Sequence, residues 1–263
     1  MDSRIVIPNL KGGLGNQLFQ IATACGVAAD NKCKFALNYD LPHTCIQGHS
    51  PTKYKDTLYC DLPITDIVPG YTYDEDGFSY KEIPYEQKMI INGYFQTEKY
   101  FVNHKEEVKK LFTFPNHIKD RVSKAFSKLP GKKIGVHIRR GDYKLVSHVH
   151  KLCTPEYYRE ALKVFSLDHA SGNCHYILCT DDIDSVREEF DIGQFIVSNS
   201  KDELEDLYLL SQCDSVVICN STFSWWGAWL GKNKDKVICP AEWFGPAGPS
   251  DYQDIFAEGW INQ

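Results

Sequence analysis

The chain has 263 residues, 43% of them hydrophobic and 24% charged, with a formal net charge of −6 at pH 7. This is the composition of a soluble globular protein of one large domain or two small ones, and the acidic balance excludes a broad positive field for gathering long nucleic acids. No apolar run approaches the roughly 18 residues of a membrane span, and Met1-Asp2-Ser3-Arg4-Ile5-Val6-Ile7-Pro8 is too short in apolar residues for a signal peptide, so a cytoplasmic location is expected.

Arg4 to Pro8 reads as a strand, Gly15 to Asp30 as an apolar helix after the glycine turn Gly12-Gly13-Leu14-Gly15, and Cys33 to Leu37 as a second strand. Residues 40 to 86, rich in Pro, Tyr, Asp and Gly, read as long loops over one edge. Met89 to Phe95 then resumes a strand and Glu98 to Phe112 a helix. Leu129-Pro130-Gly131 is the expected break between a smaller, irregular lobe (1–130) and a regular one (131–263).

From Lys133 onward the pattern alternates. Strands are expected at 133–138, 175–180, 194–198, 215–219 and 236–239, and helices at 154–165, 183–190, 201–212 and 222–230, the signature of a doubly wound α/β sheet. Thr154-Pro155 supplies a cap and a first-position proline, Ser200 with Glu203 a capping box, and Gly231 a helix stop. The ten cysteines include no Cys-x-x-Cys pair, and Cys179, Cys219 and Cys239 each close an apolar run, so they read as reduced, buried thiols.

Such folds bind ligands at the carboxyl ends of their strands. The residues expected there are His137 to Tyr143, Thr180-Asp181-Asp182, Ser198-Asn199-Ser200, Asn220-Ser221-Thr222 and Lys11 to Gln17. In Ile134-Gly135-Val136-His137-Ile138-Arg139-Arg140-Gly141-Asp142-Tyr143 an apolar strand ends in two arginines, whose planar forks match phosphate oxygens. A nucleotide suits this local cluster better than a polymer. Asn220-Ser221-Thr222 leads into a helix whose free amides and dipole bind phosphate, unless the hydroxyls only cap the helix.

Other readings stay open. Asp74-Glu75-Asp76 and Asp182-Ile183-Asp184 have the form of metal-diphosphate triplets, although Asp182 and Asp184 also suit a helix start. Trp225, Trp226 and Trp229 read as core packing ahead of sugar stacking. Arg140-Gly141-Asp142 spells an adhesion tripeptide but follows a buried strand, and Asn220-Ser221-Thr222 is formally a glycosylation acceptor. His148 and His150 fall near the expected crevice mouth, where one can act as acid or base.

Gly12-Gly13-Leu14-Gly15-Asn16-Gln17-Leu18-Phe19-Gln20, His137-Ile138-Arg139-Arg140-Gly141-Asp142-Tyr143 and Asn220-Ser221-Thr222-Phe223-Ser224-Trp225-Trp226-Gly227-Ala228 together resemble the motifs of the α-1,2-fucosyltransferases, glycosyltransferase family 11. The resemblance implies an α/β, GT-B-like fold of two Rossmann-like lobes: a regular C-terminal donor-binding lobe and a smaller irregular N-terminal acceptor-side lobe. It further implies GDP-β-L-fucose as donor substrate, a glycan acceptor, inversion at the anomeric carbon, and no metal or other cofactor. By the same resemblance Arg139 is the pyrophosphate-binding arginine, with His137 and Arg140 beside it. Asp181 or Asp182 stands where related enzymes hold guanine, with Ser198 at a further strand end. Asn220, Ser221, Thr222 and Phe223 form the phosphate-contacting turn, and Gly13, Asn16 and Gln17 belong to the first-lobe motif. Asp142 and then His150 are the expected general bases, Asp142 having bracing of an arginine as its alternative role. Animal members carry a membrane anchor and stem before the first motif. Here Gly12 arrives almost at once, as expected of a soluble bacterial-type or viral-type enzyme or of a truncated form.

Overall fold

The computed structural model describes residues 4–42, 49–231 and 234–263, so Cys45 and part of the expected 40–86 loop lie outside the described residues. The chain divides into two compact units, residues 1–115 with 251–257, and residues 116–250 with 258–263. The division falls at Pro115, ahead of the expected break at 130, because the helix following Pro115 packs within the second unit.

In the first unit, β1 (Ile5–Pro8) leads through the Gly12-Gly13 turn into α1 (Leu14–Asp30), followed by β2 (Lys34–Phe35), β3 (Tyr71–Asp74), β4 (Lys88–Asn92) and α2 (Lys105–Leu111). The four strands form a parallel sheet in the order β2-β1-β4-β3. Gly12 takes φ +75°, a conformation that glycine adopts without a Cβ penalty, and this lets the chain turn into α1. β3 lies inside the stretch expected to be loop. It is a largely exposed edge strand, so its residues carry no apolar alternation to announce it. The expected helix over 98–112 is two short 3₁₀ turns followed by α2.

The second unit runs α3 (Asn116–Phe126), β5 (Lys132–Ile138), α4 (Pro155–Lys163), α5 (Ser166–Ala170), β6 (Cys174–Thr180), α6 (Ile183–Glu189), β7 (Phe195–Val197), α7 (Glu203–Gln212), β8 (Ser215–Val217), α8 (Thr222–Trp229), β9 (Lys236–Cys239) and β10 (Ile261–Asn262). Its strands are all parallel and ordered β10-β9-β8-β5-β6-β7. In chain order that is the 3-2-1-4-5-6 arrangement of a Rossmann sheet, with its switch point between β5 and β8.

Local signals set several boundaries. The Thr154 hydroxyl accepts from the Tyr157 amide and Pro155 opens α4, as expected. The cap of α7 is Asp202 instead of Ser200: its carboxylate accepts from the Glu205 amide at 3.1 Å. Ser200 is drawn away, its amide donating to the Ser198 hydroxyl. The β5–β6 strands bury Ile134, Val136, Ile138, Tyr176 and Leu178 against Tyr158, Ala161 and Leu162 of α4. Trp225, Trp226 and Trp229 are buried, with Trp260 5.3 Å from Trp225, so these indoles pack the core and present no face to a sugar. The nine described cysteines are free thiols, and Cys179, Cys219 and Cys239 are buried.

Candidate active site

Because β5 and β8 are neighbours in a parallel sheet, the arginine motif and the Asn220 turn leave the same sheet edge, on either side of the switch point. The Cys219 thiol lies 3.2 Å from His137 Nδ1, which fixes the two strand ends against each other. His137 is fully buried. Its pKa is lowered to about 3, first by burial and then by the nearby Arg139 charge, so the imidazole is neutral at physiological pH.

Arg139 is held on one side only. Its Nε and Nη2 donate to Asp142 Oδ1 at 3.0 and 2.7 Å, and Nε lies 3.1 Å from Asp181 Oδ2. The Tyr143 ring lies 5.5 Å from its guanidinium carbon. Burial opposes the charge, but Asp181 and Asp142 hold the guanidinium even more firmly protonated than usual. Among the described residues Nη1 has no partner, and the side chain is 31% exposed. An anion can therefore reach a fixed donor edge.

Arg140 differs from its expected role beside Arg139. Its side chain is 1% exposed: Nε donates to both Glu189 oxygens at 3.0 Å, Nη1 to the Arg139 carbonyl and Nη2 to the Cys153 carbonyl at 2.9 Å. The Phe190 ring lies 5.4 Å from the guanidinium carbon. A guanidinium so enclosed braces the strand end and has no open face for a ligand, and the adhesion tripeptide is not displayed.

The carboxylates serve the same brace. Asp181 Oδ1 accepts from the Arg140 amide at 2.9 Å while Oδ2 faces Arg139, so Asp181 positions the arginines instead of offering a free edge to guanine. A Cβ at Gly141 would stand 2.3 Å from Asp181 Oδ2, so a larger residue here would displace the carboxylate that holds the arginines. Asp182 caps α6, accepting from the Ser185 amide at 3.0 Å, and the Ser185 hydroxyl and amide hold its carboxyl below the usual range. Asp184 pairs with Arg187. Asp74 accepts from Asn92, Glu75 from the Tyr94 and Phe95 amides, and Asp76 pairs with Lys81, so both acidic triplets are engaged within the chain. Ser198 follows edge strand β7 and donates to Asp206 at 2.6 Å, away from the β5–β8 switch point.

The turn into α8 has an open amide end. Ser221 is the N-cap residue, but its side chain makes no capping bond, and the amides of Thr222, Phe223 and Ser224 meet no backbone acceptor among the described residues. These groups and the helix dipole favour an anion. Asn220 is fully buried: its side-chain amide donates to the Trp243 carbonyl at 2.8 Å, so it frames the turn and is closed to a ligand or a glycan. The Phe223 ring sits 5.4 Å from His137. Asp142 spends Oδ1 on Arg139, which realises its bracing role. His150 stacks on Tyr143 at 4.7 Å and 14°, and burial, partly offset by Asp142, lowers its pKa. His148 is exposed, and its carbonyl accepts from the Ala247 amide.

The first-lobe motif residues sit in the first unit. Gly13 is the N-cap residue of α1, Asn16 accepts from Gln96 at 2.9 Å, and buried Gln17 donates to the Gly12 and His49 carbonyls and accepts from Tyr59. Gln17 is thus a structural brace. Tyr143 lies inside the arginine motif, but nothing in the sequence marks its bond to Asn220, and Glu189 stands outside every motif. Glu189 gives no local signal, since it lies 49 residues from the arginine it holds.

The two parallel α/β units, the second with Rossmann strand order, define a GT-B-like fold. Residues 64–263 match the model of glycosyl transferase family 11, and the chain belongs to that family. It is 31% identical to the alpha-1,2-colitosyltransferase of Escherichia coli over 98% of both chains, and 25% identical to galactoside alpha-(1,2)-fucosyltransferase 2 of Hylobates lar over 84% of this chain and 68% of that one. Among solved structures, the fucosyltransferase NodZ from Bradyrhizobium superposes with a TM-score of 0.58 at 16% identity, covering 94% of this chain and 96% of that one. NodZ has also been solved soaked with GDP-fucose. No described helix is long and apolar enough to cross a membrane.

Proposed function

We propose that the protein is an inverting glycosyltransferase that moves L-fucose from GDP-β-L-fucose to the 2-hydroxyl of a galactoside or similar glycan, in a single displacement without a metal. The second unit takes the donor and the first the acceptor. The observation that carries this reading is the Arg139 guanidinium, gripped by Asp142 and Asp181 with Nη1 open, on the strand next to the uncapped α8 start.

The acceptor oxygen attacks the anomeric carbon from the face opposite the phosphate, the bond from that carbon to the β-phosphate oxygen breaks, and GDP leaves with the electron pair. Negative charge on the β-phosphate grows along this path. Fixed donors aimed at it therefore stabilise the transition state more than the ground state. Arg139 and the Thr222, Phe223 and Ser224 amides are such donors. The acceptor proton must go to a base. Asp142 is engaged with Arg139, whereas His150 is neutral near pH 7 because its pKa is lowered, so His150 is the proposed base.

The α-1,2 linkage is supported by both relatives, one an alpha-1,2-colitosyltransferase and one a galactoside alpha-(1,2)-fucosyltransferase. The 31% identity to the former favours a second reading in which colitose replaces fucose as the transferred sugar. Incubating the protein with GDP-fucose or GDP-colitose, a panel of β-galactosides and EDTA, and reading the linkage by NMR, tests both. An α-1,2 product with undiminished rate in EDTA is expected. A product of another linkage, or activity restored only by added metal, would contradict the reading.

A further inference from the structure

One aromatic side chain touches both anion-facing elements of the second unit. The Tyr143 hydroxyl donates to the Asn220 carbonyl at 3.0 Å, at the turn that opens α8. The same ring lies beneath the Arg139 guanidinium at 5.5 Å and stacks on His150 at 4.7 Å. Burial pushes the pKa of the Tyr143 hydroxyl up, so it remains a donor throughout the pH range of an assay.

We propose that Tyr143 is a positioning residue that keeps the Arg139 guanidinium in register with the amide end of α8 through its hydroxyl bond to Asn220. The inference rests on the proposed phosphate-binding role of those two groups. Asp142 and Asp181 fix one edge of the guanidinium, and the Tyr143 ring lies under it with its centroid 5.5 Å from the guanidinium carbon. The His137–Cys219 contact ties the two strands at their ends, and beyond it the spacing of the braced arginine and the amides past Asn220 depends on the segments that follow. Tyr143 belongs to the arginine motif, and its hydroxyl fixes that spacing with one hydrogen bond. Two donors aimed at one developing charge act together only when their spacing is fixed, and a misplacement of about 1 Å is enough to cost on the order of a hundredfold in rate. The extra charge exists only in the transition state, so a loosened register lowers kcat more than it weakens ground-state binding.

Tyr143→Phe isolates the effect, because it retains the ring under Arg139 and against His150 and removes only the bond to Asn220. The readouts are kcat and KM for GDP-fucose, GDP affinity by calorimetry, and the melting temperature. With the protein folded at the assay temperature, kcat is expected to fall about tenfold, with KM and GDP affinity within about twofold of wild type. Tyr143→Leu, which also removes the ring beneath the guanidinium, is expected to weaken GDP binding as well. A Tyr143→Phe protein with wild-type kcat overturns the proposal, and so does a loss of rate fully explained by the unfolded fraction. Failure of the underlying reading shows separately in the wild type, as absence of both GDP binding and GDP-fucose turnover, and takes the positioning role down with it.

Discussion

Arg139 and Arg140 share a peptide bond yet occupy opposite environments: Arg139 keeps Nη1 open with 31% of its side chain exposed, while Arg140 is sealed at 1% by Glu189, the Cys153 carbonyl and the Phe190 ring. Consecutive residues after a strand point to different sides. One arginine can face a ligand while the next anchors the segment that presents it, so the two are expected to fail differently when changed.

Glu189→Ala leaves the Arg140 guanidinium buried without its carboxylate. Breaking such a pair from one side is expected to cost about 3 kcal/mol of stability, read as a lower midpoint in urea unfolding. An unchanged midpoint would mean that Glu189 contributes nothing to holding Arg140.

Gly141→Ala places a methyl group 2.3 Å from Asp181 Oδ2, and Asp181 must move. That loosens both its bond to the Arg140 amide and its contact with Arg139 Nε. Transfer is expected to fall by about tenfold or more, with a smaller effect on GDP affinity. Wild-type kcat in this variant would show that Asp181 is not needed to hold Arg139 in place.

The stability of the protein should depend on His137 in acid. Its pKa falls from 6.5 to about 3 on folding, so between those values the unfolded chain binds more protons than the folded one. His137 therefore lowers stability progressively as pH falls from 6.5 toward 3, and has no such effect above 6.5. His137→Asn is expected to show a shallower decline of melting temperature than wild type across that window. Equal slopes would mean that the imidazole becomes protonated within the fold.

Much of the second unit was legible because its signals are local. The β-branched runs of β5, β6 and β9, the Thr154-Pro155 start and the strand-to-helix passage at Asn220-Ser221-Thr222 each lie within a few residues of what they specify. The site was legible as a location, since Arg139 and the α8 start stand at the ends of adjacent strands. The division of labour within it was not. Sealing of Arg140 depends on Glu189 and Cys153, bracing of Arg139 on Asp181, and enclosure of Gln17 on His49 and Tyr59, all partners distant in sequence. β3 stayed hidden because an exposed edge strand needs no apolar alternation.

In the proposed mechanism Arg139 supplies the charge that stabilises departing GDP. The most direct test is Arg139→Ala, with kcat/KM for GDP-fucose compared with wild type in the presence of EDTA, alongside the melting temperature. A fall of on the order of a hundredfold or more, with the melting temperature nearly unchanged, is the predicted result. Near-normal transfer by a folded Arg139→Ala protein would contradict the account.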